Sequence, residues 1–316
     1  MRTVYTRITI GDIKLNFVNN IEIESSWEML TDTALIVLPA VTRYKVDKVL
    51  ASESLKENIK VGDEITITTG YDDEFKQVFK GYLSAIKPSI PIELSCEDEM
   101  WKLKRTPVSV SLKNATIESL LKETLPDVEV DAFNATLGNF YLANSSASKM
   151  LERIKSDYGL RSFFRSGKLI IGKQYDAGTA TKHKFKLRVD TIEDDLEFIA
   201  KEDVRIKVKA ISNNDNGTKE TIELGDSDGD TKTLNFYNLN KTELKKYAEA
   251  ELERMRYDGW RGDFTAFGAP HVAHGDIVEI EDTEGSDKTG EYYVDKVVIT
   301  HGVDGSRQTI TLGARI

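Results

Sequence analysis

Along most of the chain, apolar and polar residues alternate with a period of two. The stretches NNIEIESSWEM, DTALIVLPA, DEITITTG, KQVFKGYLSAIKP, PIELSCE, DVRIKVKAIS, KETIELG, DIVEIED, EYYVDKVVITHG and RQTITLGA either alternate or carry β-branched runs, and turn residues bound them. They predict strands of antiparallel sheets. Three segments follow a helical period instead. Ile117, Leu120, Leu121 and Leu125 follow Thr116 as N-cap and stop before Pro126, while Ala147, Met150, Leu151, Ile154 and Tyr158 follow Ser146 and stop at Gly159. In the third, Asn240 is the N-cap with Glu243 three residues on, then come Leu244, Tyr247, Ala248, Leu252 and Met255, with Gly259 as the stop.

One phrase occurs twice. Residues 61–67 read VGDEITI and residues 274–280 read HGDIVEI, and each leads through a polar turn into long strand-like runs: GYLSAIKP and PIELSCED after the first, YYVDKVVIT and RQTITLGA after the second. A Gly-Asp turn is common by itself, because Gly reaches φ > 0 and Asp caps its own turn. The ordered set of strands carries more weight. Upstream, IEIESSWEMLTDTALIVLPA and VRIKVKAISNNDNGTKETIELG both read as strand, polar turn, strand ahead of a Gly-Asp phrase. The pattern predicts two diverged copies of one small barrel or sandwich.

A three-part chain follows. Residues 1–104 form a first β domain and 105–199 a small α/β insertion in which Ser166-Gly167 turns a hairpin. Residues 200–316 form a second β domain carrying a helix over 241–257. The strands within 184–199 fit either neighbour. The fold class expected is mainly β: two similar tube-like antiparallel barrel or sandwich domains with an inserted small α/β domain.

Composition narrows the classes of function. The 316 residues hold 43 Lys and Arg against 53 Asp and Glu, a net charge of −10, and the excess acid is scattered, which disfavours a phosphate-neutralising surface and sequence-specific nucleic-acid binding. The start MRTVYTRITIGDIKLNF has no signal-peptide pattern and no stretch approaches the length of an apolar span, so a chain made in a cytoplasm without stable membrane insertion is expected. Cys96 is the single cysteine, and its place in IELSCEDE makes it a small core residue.

Candidate chemistry is sparse. His271 and His274 form H-x-x-H with Asp276 beside them and His301 further on, but zinc needs three or four ligands converging at about 2.0–2.3 Å, and extended residues three apart point to opposite faces. Two polar histidines in a loop is the better reading. DSDGD at 226–230 invites calcium, yet the position needing a closing Glu is Tyr237, so a hairpin turn between ETIELG and KTLNFY is expected. Glu97, Asp98, Glu99, Asp194 and Asp195 read as solvated charge. Trp260, Phe264 and Phe267 read as anchors of the long helix on a sheet rather than as stacking residues. No nucleophile elbow, HExxH, Walker or dinucleotide motif is present. No catalytic residue, metal or cofactor is expected.

The segment 41–60, VTRYKVDKVLASESLKENIK, has a functional reading. It is too long for a hairpin loop, and Tyr44, Val46, Val49, Leu50 and Leu55 are too scattered to close a core of their own. They are the expected subunit-interface residues.

The stretch from KAISNNDNG to HGDIVEIED (209–282) resembles the C-terminal part of phage late control protein D proteins, the baseplate hubs of contractile tails, and GYLSAIKPSIPIELSCEDEMWKLKR (81–105) is similar to their N-terminal part. The hub part of type VI secretion spike proteins has the same plan. The resemblance implies a homotrimer whose two tube-like β domains per chain make a six-fold-like ring joining the hexameric tail tube to the trimeric spike. It implies a virion tail baseplate or tail-like particle assembled in the bacterial host cytoplasm. The implied partners are self, tail tube protein and spike protein, with other baseplate proteins and the tape measure protein as further candidates. Because the sequence stops at Ile316 after its last strand, the spike is expected to be a separate polypeptide. The rival readings are a tail-associated cell-wall hydrolase and a carbohydrate-binding adhesive module.

Overall fold

Nine strands are described in the first 97 residues of the computed structural model: β1 (Val4–Ile10), β2 (Ile13–Leu15), β3 (Asn20–Ser26), β4 (Thr33–Leu38), β5 (Tyr44–Val46), β6 (Val49–Ala51), β7 (Glu64–Tyr71), β8 (Glu74–Lys87) and β9 (Ile92–Glu97). The structure describes residues 4–39, 44–46, 49–51, 58–71, 74–175, 180–214, 217–282, 289–302 and 305–316. Six of the strands lie side by side, all antiparallel, in the order β3-β4-β9-β8-β7-β1. Strands β2, β5 and β6 continue the sheet beyond β1. The period-two pattern does what alternation demands: Ile21 and Ile23, Ile36 and Leu38, Ile65 and Ile67, Leu94 and Cys96 are buried on one face.

An α/β segment follows, with α1 (Met100–Leu103), β10 (Pro107–Thr116), α2 (Ile117–Thr124), β11 (Val130–Ala132), β12 (Thr136–Ser146), α3 (Ala147–Tyr158), β13 (Arg161–Arg165) and β14 (Lys168–Gly172). β10 pairs with β12, and a separate sheet runs β11-β14-β13. The helix signals act locally. Thr116 and Ser119 form a reciprocal capping box on α2, Ser146 caps α3, and Gly159 ends α3 in the left-handed region at φ +69°. Leu120, Leu121, Met150, Leu151 and Ile154 pack with Leu137, Phe140, Leu169 and Ile171 into a core separate from that of the β units.

The remaining strands are β15 (Lys182–Lys186), β16 (Thr191–Ile199), β17 (Ile206–Asn213), β18 (Lys219–Gly225), β19 (Asp230–Tyr237), then α4 (Lys241–Met255), then β20 (Gly259–Phe267), β21 (Ile277–Glu281), β22 (Gly290–Gly302) and β23 (Gly305–Arg315). Six of them are ordered β16-β20-β23-β22-β21-β15. The fold is thus mainly β, with two similar β units and an inserted α/β segment.

Three expectations are corrected here. The counterpart of β3 and β4 is not the pair β17 and β18 but β16 and β20, because these hold the matching places in the sheet. β17 to β19 form a small sheet of their own in the order β18-β17-β19, and Leu244 and Ala248 of α4 pack on Val208 and Ala210. DSDGD is not a hairpin turn, since β18 and β19 flank β17 on opposite sides, β19 parallel to it. The long helix ends at Met255, and Gly259 opens β20 instead of stopping the helix.

Candidate functional site

The two Gly-Asp turns are one device built twice. In the first, the Gly62 amide donates to Leu83 O (2.8 Å), the Leu83 amide returns to Asp63 O (2.9 Å), the Asp63 amide donates to Lys60 O (3.1 Å), and Asp63 Oδ2 accepts from the Lys60 amide (2.9 Å). In the second, Gly275 donates to Val294 O (2.8 Å), Val294 to Asp276 O (2.9 Å) and Asp276 to Ala273 O (3.1 Å), while Asp276 Oδ2 accepts from the Ala273 amide (3.0 Å). Both glycines sit at positive φ, +97° and +84°, where an L side chain is strained. An aromatic plate covers each. A Cβ on Gly62 would lie 3.0 Å from Trp101 Cη2, and one on Gly275 would lie 3.0 Å from Trp27 Cζ2.

The registers downstream agree residue for residue. Glu64 pairs with Tyr82 as Ile277 pairs with Tyr293, and Ile67 with Phe79 as Ile280 with Gly290. The next pair of strands carries a bulge at the same place, between Leu83 and Ala85 in β8 and between Val294 and Lys296 in β22. Ile86 then faces Leu94 as Val297 faces Ile310. Even the aromatic stacks recur, Tyr82 on Trp101 with centroids 5.3 Å apart and Tyr293 on Tyr175 at 4.5 Å. One difference is clear: β1 runs antiparallel to β7, whereas β15 runs parallel to β21.

The units join edge to edge. Beyond its bulge, β22 pairs antiparallel with β3, from Lys296 opposite Ser26 to Gly302 opposite Asn20. Lys296 Nζ lies 2.6 Å from Glu24 Oε1 on this seam. His301 Nε2, at its end, is hydrogen-bonded to the Thr6 hydroxyl of β1.

Beside the seam lies a cleft of about 750 Å³, lined by both β units and by the β13–β14 turn at Ser166-Gly167. His274 is 1% exposed there, its ring edge-on to Phe163 (4.8 Å) and Trp27 (5.4 Å). Burial, then the Arg165 charge, lowers its pKa to about 3, and neither ring nitrogen has a partner among the described residues. Burial, then Lys76, lowers His271 to about 4. Both rings are therefore neutral at pH 7. Burial works to raise the Asp276 pKa, but bonds from His183 Nε2 (3.1 Å) and the Ala273 and Thr181 amides, with the Arg165 charge, outweigh it and hold the carboxylate ionised. Across the cleft, burial pushes Asp98 up to about 7 against the bond from the Met100 amide (3.0 Å). Burial, then the Asp98 charge, pushes Asp32 well above the carboxylate range.

The candidate residues distribute as follows. His271, His274, Asp276 and, unanticipated, His183 line one cleft, while His301 lies at the seam. Among the described residues, no group of three or more His, Cys, Asp or Glu is placed to hold a metal ion. Asp98 is not solvated charge but 5% exposed, whereas Asp194 and Asp195 are exposed. Asp226 and Asp228 are engaged by Arg256 and Arg205. Trp260 and Phe264 pack edge-on to Phe198 and Phe185 in the core of the second β unit, and Phe267 is exposed. Cys96 is buried, and burial raises its thiol to about 12. Tyr44, Val46, Val49 and Leu50 fall on the β5–β6 hairpin, of which the backbone pairing is described; Leu55 lies outside the described residues. Trp27, Arg165, His183 and Asp32 carried no sequence signal, because each meets its partners only across the fold: His183 and Asp276 are 93 positions apart.

The fold, tandem six-stranded units with an α/β insert between them, is shared with solved tail proteins. The chain is similar to the tail protein of Neisseria meningitidis MC58, with 15% identity and a TM-score of 0.68 over 99% of this chain and 96% of that one. It is similar to the 43 kDa tail protein of prophage MuSo2 from Shewanella oneidensis, with 15% identity and a TM-score of 0.64 over 98% and 97% of the two chains. A third similar structure is a component of the type VI secretion system of E. coli, itself structurally similar to T4 bacteriophage tail proteins, at 11% identity and a TM-score of 0.57 over 99% of this chain and 76% of that one. No family model and no curated protein matches the sequence.

Proposed function

We propose that the chain is a structural hub subunit of a contractile phage tail or tail-like injection particle. Its organisation is a β domain to about residue 104, an α/β insertion, and a second β domain. Three chains form a ring of six β units that joins a hexameric tail tube to a trimeric spike. The observation that carries this reading is the duplication: two units with the same strand order, register, bulge position and Gly-Asp turn in one chain. A tube with six-fold symmetry meeting a trimer needs two equivalent docking sites per chain, and unmatched sheet edges would be open to non-specific pairing. The tail proteins similar in fold support the same role. The segment 41–60, with Tyr44, Val46, Val49, Leu50 and Leu55 as its interface residues, meets the neighbouring subunit. The ring's lumen is neutral to acidic, in keeping with the net charge of −10, so that a polyanion passes without being held.

The test is mass measurement in solution across a concentration series, followed by imaging of rings and of particles. Trimeric rings showing six similar lobes are the expected result; a monomer at every concentration, with or without tube protein, would overturn the reading. A peptidoglycan-release assay separates it from a hydrolase, for which measurable turnover is required.

A further inference from the structure

Each β unit has one long strand that bends at a bulge and runs on beyond its inner partner. In the second unit this is β22, whose inner half pairs with β21 and whose outer half pairs with β3, the edge strand of the first unit. In the first unit it is β8, whose inner half pairs with β7 and whose outer half, Ala85–Lys87, pairs with β9. The side of Ala85–Lys87 that corresponds to the β3 side of β22 has no strand among the described residues. The counterpart of β3 in the second unit is β16, which ends the sheet order. One chain therefore holds one completed seam and the two halves of another.

We propose that the two halves meet between neighbouring copies: β16 of one chain pairs antiparallel with the outer half of β8 of the next. This rests on the ring reading above and specifies the contact that closes it. The register follows from the completed seam. Asn20 and Glu193 stand opposite the equivalent residues Val37 and Thr265, so Glu24 corresponds to Glu197 and Ser26 to Ile199. Leu83 and Val294 hold the same place before the bulge, so Ala85 corresponds to Lys296 and Lys87 to Val298. Since Lys296 faces Ser26 and Val298 faces Glu24 in the completed seam, Ala85 faces Ile199 and Lys87 faces Glu197 of the neighbour.

The side chains suit these positions. Lys87 opposite Glu197 is a direct cross-strand pair of opposite charge, as Lys296 with Glu24 is a diagonal one, and Ala85 opposite Ile199 is apolar. Lys87 is held beside Glu93 at 3.0 Å on its own sheet, so Glu197 would dock onto an already oriented ammonium group. The contact is heterologous, one donor edge and one acceptor edge per chain, which is the arrangement that closes into a ring. It is also short. β22 runs to Gly302 and makes seven pairs with β3, whereas β8 ends at Lys87 before Pro88, which leaves three. A proline next to an open edge also blocks indiscriminate extension of the sheet. The seam between chains is accordingly weaker than the seam within one, and the ring forms at high local concentration.

Two measurements on the full chain test this. Directly opposed residues place their Cβ atoms about 4.5–5.5 Å apart, so the double variant Ala85→Cys/Ile199→Cys should give oxidised dimers and covalently closed trimers at concentrations where rings form. Ala85→Cys/Asp195→Cys, displaced by roughly 13 Å along the strand, should not. Independently, Glu197→Lys should shift the monomer–trimer midpoint to higher concentration, and Lys87→Glu/Glu197→Lys should bring it back. Trimers that form without the in-register cross-link and without the charge effect would overturn the seam and leave the ring reading standing. A wild-type chain that stays monomeric at all concentrations would overturn both.

Discussion

The ring of Trp27, at the end of the first unit's edge strand, comes close enough to Gly275 of the second unit that a Cβ there would be 3.0 Å from Trp27 Cζ2. The Trp27 amide donates across the same junction to Asp295 O at 3.0 Å. One glycine thus serves a left-handed turn and a contact between the two halves of the duplication.

Replacing it tests the duplication. Gly275→Ala should destabilise the chain by roughly 1–3 kcal/mol, from positive-φ strain and the collision with the indole, and Gly62→Ala should cost a similar amount because it too has a positive φ and an indole 3.0 Å from the added Cβ. Denaturant unfolding measures both. Strongly unequal losses would mean that the two turns are alike only in shape.

His274 is a buried ring with neither nitrogen bonded among the described residues, and its pKa is lowered to about 3. The unfolded chain binds the proton near pH 6.5, so between these values unfolding takes up a proton and stability falls as pH drops. His274→Leu should remove this dependence. Its advantage over the wild type should grow by roughly 2 kcal/mol between pH 7.5 and pH 5, read from unfolding midpoints at each pH.

Asp98 gives the opposite sign. Its folded pKa is raised to about 7, above that of the unfolded chain, so the folded form holds its proton more tightly and stability is lost as pH rises from about 4 to 7. Asp98→Asn should keep an acceptor for the Met100 amide and be more stable than the wild type at pH 8, with the gain shrinking towards pH 4. Thermal melts over that range provide the check.

The β5–β6 hairpin is attached to the rest of the sheet through β2 alone among the described strands. Replacing residues 44–51 by a short polar turn should leave the circular dichroism spectrum and unfolding midpoint close to those of the wild type while abolishing trimers in light scattering. Trimers that persist would remove the hairpin from the interface.

Local signals settled much of the architecture before any contact was known. Thr116, Ser146 and Asn240 cap helices because a side-chain oxygen meets an amide two or three residues away, and Gly62-Asp63 and Gly275-Asp276 make their turns from their own backbone preferences. Alternation likewise gives each strand its inward face. What alternation cannot encode is the partner. Ile206–Asn213 alternates regularly whereas Thr191–Ile199 reads TIEDDLEFI without alternation, yet it is the regular one that belongs to a small sheet inserted between two strands of the second unit, so the sequence parallel to β3 and β4 landed on the wrong strands. Nor does a local pattern set the burial of a polar group. Asp98 stands in an acidic run and His274 beside a turn; the tertiary structure alone encloses one beside Asp32 and the other between Trp27 and Phe163. Turns and caps are interactions within a few residues and can be read from the sequence. Sheet order and desolvation depend on segments brought together from across the chain, and only the completed fold decides them.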